Sequence, residues 1–138
     1  MPPSAGTARF LERDLQRALR DNIGRLEPGL KIADRDKERT VKYGGTAKPG
    51  RIDITAEDRR GATVVIELKR GKVGRRAIGQ ILGYMGALML RKKSIRGILV
   101  AKEFSPQGIA AARPAPALQL RRYIHRRRKF AFEVVGAD

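Results

Sequence analysis

Two short alternating segments joined by a polar turn constrain this chain most. Arg51 to Ala56 alternates as a strand, with Ile52 and Ile54 on one face and Arg51, Asp53 and Thr55 on the other. Asp58 to Gly61 is a polar turn, and Thr63 to Lys69 is a second strand rich in β-branched residues. Together they predict a β-hairpin. Glu67 and Lys69 are two apart and share a face; Val64, Ile66 and Leu68 take the opposite one. Asp53, on the partner strand, also lies opposite its apolar neighbours. One face of the hairpin thus gathers two carboxylates and an ammonium. Buried carboxylates in proximity repel unless a cation sits between them. Two carboxylate oxygens, a backbone carbonyl and waters suit Mg²⁺, and a lysine beside such an ion can orient a water or stabilise charge on a phosphate. The plainer reading is a cross-strand salt bridge on a solvated sheet face, contributing about 0.2–1 kcal/mol.

The rest of the chain supplies an α/β frame. Residues 7–23 read as an amphipathic helix, with Ala8, Leu11, Leu15, Ala18, Leu19 and Ile23 at helical spacing. Glu12 falls on the same stripe, so its carboxylate is expected on the core-facing side. Leu30 to Ala33 and Thr40 to Tyr43 are short strands separated by a charged turn. Residues 75–91 read as a second helix, with Ile78, Ile81, Leu82, Met85, Leu88 and Met89 as its apolar side. Gly79, Gly83 and Gly86 lower its propensity, and their spacing predicts close packing against another backbone. Ile95 to Ala101 is a buried-type strand and Pro106 to Ala112 a short helix. Leu118 to Tyr123 and Phe130 to Val135 are strands around a basic run from Arg121 to Lys129. The chain is read as one domain over residues 1–138, with residues 1–6 as a flexible tail.

Charge and composition narrow the function. The sequence carries 31 Lys+Arg and 14 Asp+Glu, a net charge of +17, which points to a polyanion and first to nucleic acid. The charge is uneven: residues 1–69 carry +4 and residues 70–138 carry +13. With no cysteine and one histidine, thiolate sites, cysteine nucleophiles and paired-histidine catalysis are excluded. His125, inside the basic run, is read as a loop or phosphate-contact residue. The longest nearly apolar run, Ala77 to Leu90, is too short for a membrane helix. No secretory signal is seen, so the expected location is the cytoplasm, in a prokaryotic or phage setting. The seven aromatics are scattered and suggest no base-stacking platform.

Three features extend the acidic hairpin. The first acid sits in Gly50-Arg51-Ile52-Asp53-Ile54, Glu67-Leu68-Lys69 ends an apolar strand, and the following helix carries Gln80 and Tyr84 on one face. This combination resembles the PD-(D/E)XK nuclease superfamily. The stretch from Gly50 to Tyr84 is similar to the C-terminal nuclease domain of the NucS (EndoMS) mismatch endonuclease family. Leu11-Glu12-Arg13-Asp14-Leu15 and Leu26-Glu27-Pro28-Gly29-Leu30 resemble the entry to that domain, so the likeness covers roughly residues 8–104. The resemblance implies a single restriction-endonuclease-like domain, a central mixed β-sheet flanked by helices. It implies Asp53 and Glu67 as metal ligands, with the Leu68 carbonyl as a third, and Mg²⁺ or Mn²⁺ as the ion. Lys69 would act on water or the scissile phosphate, Gln80 would orient water or Lys69, and Glu12 would reach in as an additional acid. Tyr84 supports the site or packs in the core. The family joins this domain to an N-terminal DNA-binding and dimerising domain, for which 138 residues leave no room.

The expected activity is hydrolysis of DNA phosphodiesters, in repair or structure-specific cleavage. Arg51, Lys72, Arg75, Arg76, Arg121, Arg122, Arg126, Arg127, Arg128 and Lys129 are the expected phosphate contacts. One chain offers one site, so cutting both strands calls for a homodimer. The alternatives are a Holliday-junction resolvase with the same chemistry, and a nucleic-acid-binding module, RNA included, whose acids are structural.

Overall fold

The computed structural model describes residues 5–33, 39–127 and 129–136, with residues 5–11 described by their backbone alone. The order is α1 (Ala5–Asp21), a 3-10 turn (Ile23–Arg25), β1 (Lys31–Ile32), β2 (Arg39–Val41), β3 (Gly50–Ile52), β4 (Ile54–Glu57), β5 (Thr63–Leu68), β6 (Lys72–Val73), α2 (Arg75–Leu88), β7 (Ile95–Ala101), β8 (Glu103–Phe104), α3 (Pro106–Ala112), β9 (Leu118–Arg126) and β10 (Lys129–Val135). Of the expected tail, Ala5 and Gly6 already belong to α1, and residues 1–4 lie outside the described residues, as does most of the charged turn before β2.

The main sheet is mixed and has the order β1-β4-β5-β7-β9-β10. The expected hairpin is β4–β5, antiparallel, with Ile54 opposite Ile66 and Glu57 opposite Thr63. Its turn is tied by Asp58, whose carboxylate accepts from the Arg60 and Ala62 N–H groups at 2.9 Å each. β5, β7 and β9 are parallel neighbours, and β10 returns antiparallel along β9. Two small pairs, β2–β3 and β6–β8, stand beside this sheet. β6 and β8 were not anticipated, being only two residues each.

Each face of the sheet has its own core. α2 and α3 cover one face, where Ile78, Ile81, Tyr84, Met85 and Leu88 pack on Val65, Leu99 and Leu120. α1 covers the other, where Leu15 and Leu19 pack on Ile54, Val64, Ile66 and Ile98. A fully buried Leu or Ile stabilises by about 1.5–3 kcal/mol. α3 starts where predicted because Pro106 opens it and the Ser105 hydroxyl accepts from the Gly108 N–H at 3.0 Å.

Three expectations are corrected. The segment Arg51 to Ala56 is two strands, β3 and β4, in different sheets and broken at Asp53. Ile52 and Ile54 therefore enter opposite cores, not the same one. Nor do the glycines of α2 meet a backbone: among the described residues nothing lies within 4 Å of a Cβ at Gly79 or Gly86, and Gly83 faces only the Tyr43 ring. Met89 follows the end of α2 and is exposed.

An ion network closes the α1 face at the other end of β5 and β7 from Glu67. Arg96 donates to both Glu27 oxygens (2.6 and 2.7 Å), to Asp58 Oδ2 (3.2 Å) and to Gln119 Oε1 (3.0 Å). The Arg96 hydrogen bond holds Glu27 below its ordinary pKa. Burial pushes Asp58 up, but hydrogen bonds from Ala62, Arg96 and Arg60 outweigh it, and it too is lowered. Lowered carboxyls contribute stability that is present above their unfolded pKa and lost as pH falls through the folded one. Arg96→Met should therefore lose about 1–3 kcal/mol in urea unfolding at pH 7, with the deficit closing towards pH 3 as both acids protonate.

Candidate active site

The site grows from the strand break. With Ile52 drawn into one core and Ile54 into the other, the backbone at Asp53 leaves the β2–β3 pair before joining β5. Its main-chain groups need partners there. The Asp53 N–H donates to Glu67 Oε1 at 3.0 Å, and the Asp53 carbonyl accepts from Arg20 Nη2 at 2.6 Å and Gln16 Nε2 at 3.4 Å. In return, the Leu68 N–H donates to Asp53 Oδ2 at 2.9 Å. Each acid is thus anchored on the backbone of the other's strand.

Glu67 is 3% exposed, next to last in β5 on the side of Val65 and α2. Lys69 follows the strand, its N–H donating to the Val100 carbonyl at 2.8 Å, and its Nζ lies 4.0 Å from Glu67 Oε2. Burial first, then the charge of Asp53, pushes the Glu67 carboxyl up to about 8, against the opposing pull of the Asp53 N–H and the Lys69 ammonium. Among the described residues no three acidic, histidine or cysteine side chains form a metal-sized group; the acids are a pair.

Tyr84 is buried in the α2-side core and fixes β3 against the helix: a Cβ on Gly50 would collide with its ring. It stacks on Tyr43, ring centroids 6.4 Å apart and 23° between planes. Burial and then the Glu67 charge raise the pKa of both tyrosines, so both phenols lie in the field of the acid. Aromatics scattered in sequence are here paired, against the strand that leads into Asp53.

The other expected residues divide. Gln80 lines an open groove of about 410 Å³ with Lys69, Val73, Gly74, Arg76 and Ala77. Glu12 is not on the core-facing side: its side chain is 44% exposed and lies 3.9 Å from the Arg70 guanidinium. Among the described residues it forms no metal-sized group with Asp53 and Glu67. Arg51, Lys72, Arg75 and Arg76 are exposed. Arg126, Arg127 and Lys129 are exposed at the β9–β10 turn; Arg128 lies outside the described residues. Arg122 is exposed and pairs with Glu133 at 3.3 Å. Arg121 is corrected: strand alternation turns it inward, where it is 8% exposed and donates to Gln119 Oε1 at 2.8 Å. His125 is a strand residue stacked on Phe130, centroids 4.3 Å apart.

Sequence reasoning missed Arg20, Gln16 and Tyr43. Gln16 and Arg20 are four apart, flanking the Leu15 and Leu19 stripe, and that spacing was the available signal for a polar edge facing the sheet. Tyr43 had none, since its partner is distant in sequence.

Comparison with known proteins agrees with this geometry. The family model described as the endonuclease NucS C-terminal domain matches residues 11–121. Endonuclease NucS of Kocuria rhizophila is 34% identical over 108 residues, 75% of this chain and 42% of that protein. Endonuclease NucS of Methanopyrus kandleri is 33% identical over 91 residues, 65% of this chain and 32% of that protein. A repair endonuclease from Pyrococcus abyssi superposes with a TM-score of 0.68 at 27% identity, covering 80% of this chain and 46% of that one. EndoMS in complex with double-stranded DNA gives 0.61 at 27% identity, covering 75% and 40%. The chain thus spans less than half the length of the curated relatives it matches. On the match over residues 11–121 and the sheet that carries Asp53, Glu67 and Lys69, the chain belongs to the endonuclease NucS C-terminal domain family.

Proposed function

We propose that this chain is an endodeoxyribonuclease of DNA repair, hydrolysing phosphodiesters with Mg²⁺ or Mn²⁺ held by Asp53, Glu67 and the Leu68 carbonyl. One observation carries the reading: a carboxylate pair, Glu67 buried and Asp53 half-buried, each held on the other's backbone, with Lys69 at its edge. The donor set fits a divalent ion. Two carboxylates this close are mutually unfavourable without a cation, and oxygen donors completed by water suit Mg²⁺ and Mn²⁺. Bound there, the ion supplies charge that eases deprotonation of a water and offsets charge developing on the phosphate. Arg20 and the Leu68 N–H hold Asp53 in place. Lys69, about one-third exposed, orients the water or neutralises the scissile phosphate, and Gln80 shares its groove.

The topology supports double-stranded DNA as substrate, the ligand of the EndoMS relative. β5, β7 and β9 are parallel, and Leu68, Val100 and Arg121 stand in register at one end. β9 continues past Arg122 through residues 123–126 before turning, a projection of about 13 Å. The exposed Arg126, Arg127 and Lys129 therefore extend beyond the end of the sheet that carries Glu67 and Lys69. One chain presents one acid pair, and a homodimer supplies the second for cutting both strands. No helix of the described residues is long and apolar enough to cross a membrane.

With Mg²⁺ or Mn²⁺, the protein should nick or cut duplex DNA, assayed on perfect, mismatched, branched and single-stranded forms. Asp53→Ala and Lys69→Ala should lose at least about 100-fold in rate while still binding DNA. Binding with no cleavage of any form would instead favour a recognition module.

Salt titration separates surface from interior arginines. Arg126→Ala should lower the slope of log K against log salt by about 1, whereas Arg121→Ala should mainly destabilise the fold.

Glu67 gives a sign-determined pH effect in metal-free buffer. Its folded pKa is raised above the ordinary 4.5 to about 8, so the folded state binds the extra proton between those values. That stability is complete below pH 4.5 and is lost as pH rises towards 8. Glu67→Gln should therefore melt above wild type at pH 8 by at least about 3–5 °C, with the gap shrinking at pH 5. Parallel melting curves across this range would contradict the buried, proton-holding carboxyl.

A further inference from the structure

Among the described residues Tyr43 is one of four large apolar or aromatic side chains that are strongly exposed, and it stacks on Tyr84, whose ring rests on Gly50 in the strand leading into Asp53. Tyr43 follows β2, whose last residue, Val41, is buried in the α2-side core and pairs with Gly50. The chain then turns sharply at Gly44, where φ is +94°. Its ring is fixed on one side and open on the other. One side stacks on Tyr84, a residue of α2 whose ring is held against Gly50, and its hydroxyl end rests 3.6 Å from where a Cβ on Gly83 would stand. Even so, Tyr43 remains 45% exposed. Through Tyr84 and Gly50 the ring is tied to β3, the strand that leads directly into Asp53. Lys42, Lys48 and Arg51, all exposed, come from the same small strand pair and its loop.

We propose that Tyr43 is the stacking surface for a nucleobase adjoining the scissile phosphate. This rests on the DNA endonuclease reading and adds a contact to the base where the rest of the site addresses phosphate. An aromatic face accepts any base, so the contact orients the strand without reading sequence. The stack on Tyr84 pre-orders the ring, which lowers the conformational entropy lost on binding.

The test is a cycle between protein and substrate. The cleavage position is first mapped for the native protein on a defined duplex. The same duplex is then made with an abasic site at the nucleotide on either side of that position. Tyr43→Ala and Tyr43→Leu should raise KM roughly 5–100-fold on intact DNA. Tyr43→Phe should restore native KM. An abasic site on one of the two sides should slow the native protein to the same extent, and the Ala and Leu variants should lose nothing further on that substrate. Tyr43→Leu keeps bulk over Tyr84, and its melting temperature shows that the fold is retained. Penalties that add in full on both abasic substrates would overturn the proposal, as would native KM for Tyr43→Leu on intact DNA. In either case cleavage by the native protein leaves the nuclease reading standing. A native protein that cuts no DNA overturns both.

Discussion

Everything at this site depends on one interruption of β-structure. A continuous strand would send Ile52 and Ile54 to the same face. The molecule has a core on each side of its sheet and gives one isoleucine to each, so the chain must change sheets at Asp53. A strand break in the interior exposes backbone donors and acceptors, and leaving them unpaired costs about 1–3 kcal/mol each. Glu67, Arg20 and Gln16 provide the missing partners, and Asp53 answers with its own carboxylate on Leu68. The hydrogen bonds that mend the break also aim the two acids at each other. Packing, backbone satisfaction and the candidate chemistry are one problem with one solution.

That solution carries a tension. Burial and the neighbouring Asp53 both disfavour charge on Glu67, and only a backbone N–H and a half-distant ammonium oppose them. A chain selected for stability alone would not bury one carboxylate beside a second. The proposed divalent cation would account for the arrangement, since it would turn the repulsion into coordination. The surrounding rigidity is consistent with that use: Tyr84 locks β3 to α2 over a bare Gly50, and Lys69 is pinned by Val100 at the end of β5. Elements that position charged groups in advance reduce the reorganisation left for the reaction itself.

The sequence made the hairpin and its acids legible because pairing in β4–β5 is local and the polar turn at Asp58 announces it. Gln80 and Lys69 were placed on neighbouring elements, and they line one groove. What failed was periodicity carried across a boundary it could not see. The two-residue alternation held within β3 and within β4 but not through Asp53. The same rule would have placed Arg121 correctly, on the face of Gln119 and Tyr123, had composition not drawn the whole basic run to the surface. Glu12 was misjudged because sharing a stripe with Leu15 and Leu19 does not itself bury a carboxylate: its side chain is 44% exposed beside Arg70. The tyrosine pair was invisible because stacking between distant residues leaves no local pattern.

Net charge, finally, means something different once the interior is subtracted. The chain carries +17, but Arg20 is bound to the Asp53 carbonyl, and Arg96 and Arg121 belong to the Glu27–Asp58–Gln119 network. These arginines hold the frame together and leave little for a phosphate. The remaining cations are distributed by topology: parallel β5, β7 and β9 end on the same side, and β9 outruns its neighbours before it turns. In sheets of this kind ligands gather at the carboxyl ends of parallel strands, where loops are free to vary. The acids sit at that end and the basic turn projects past it. A polyanion held by that basic turn would reach the carboxylates at the same end of the sheet, and only a bound cation there would let its phosphate approach them.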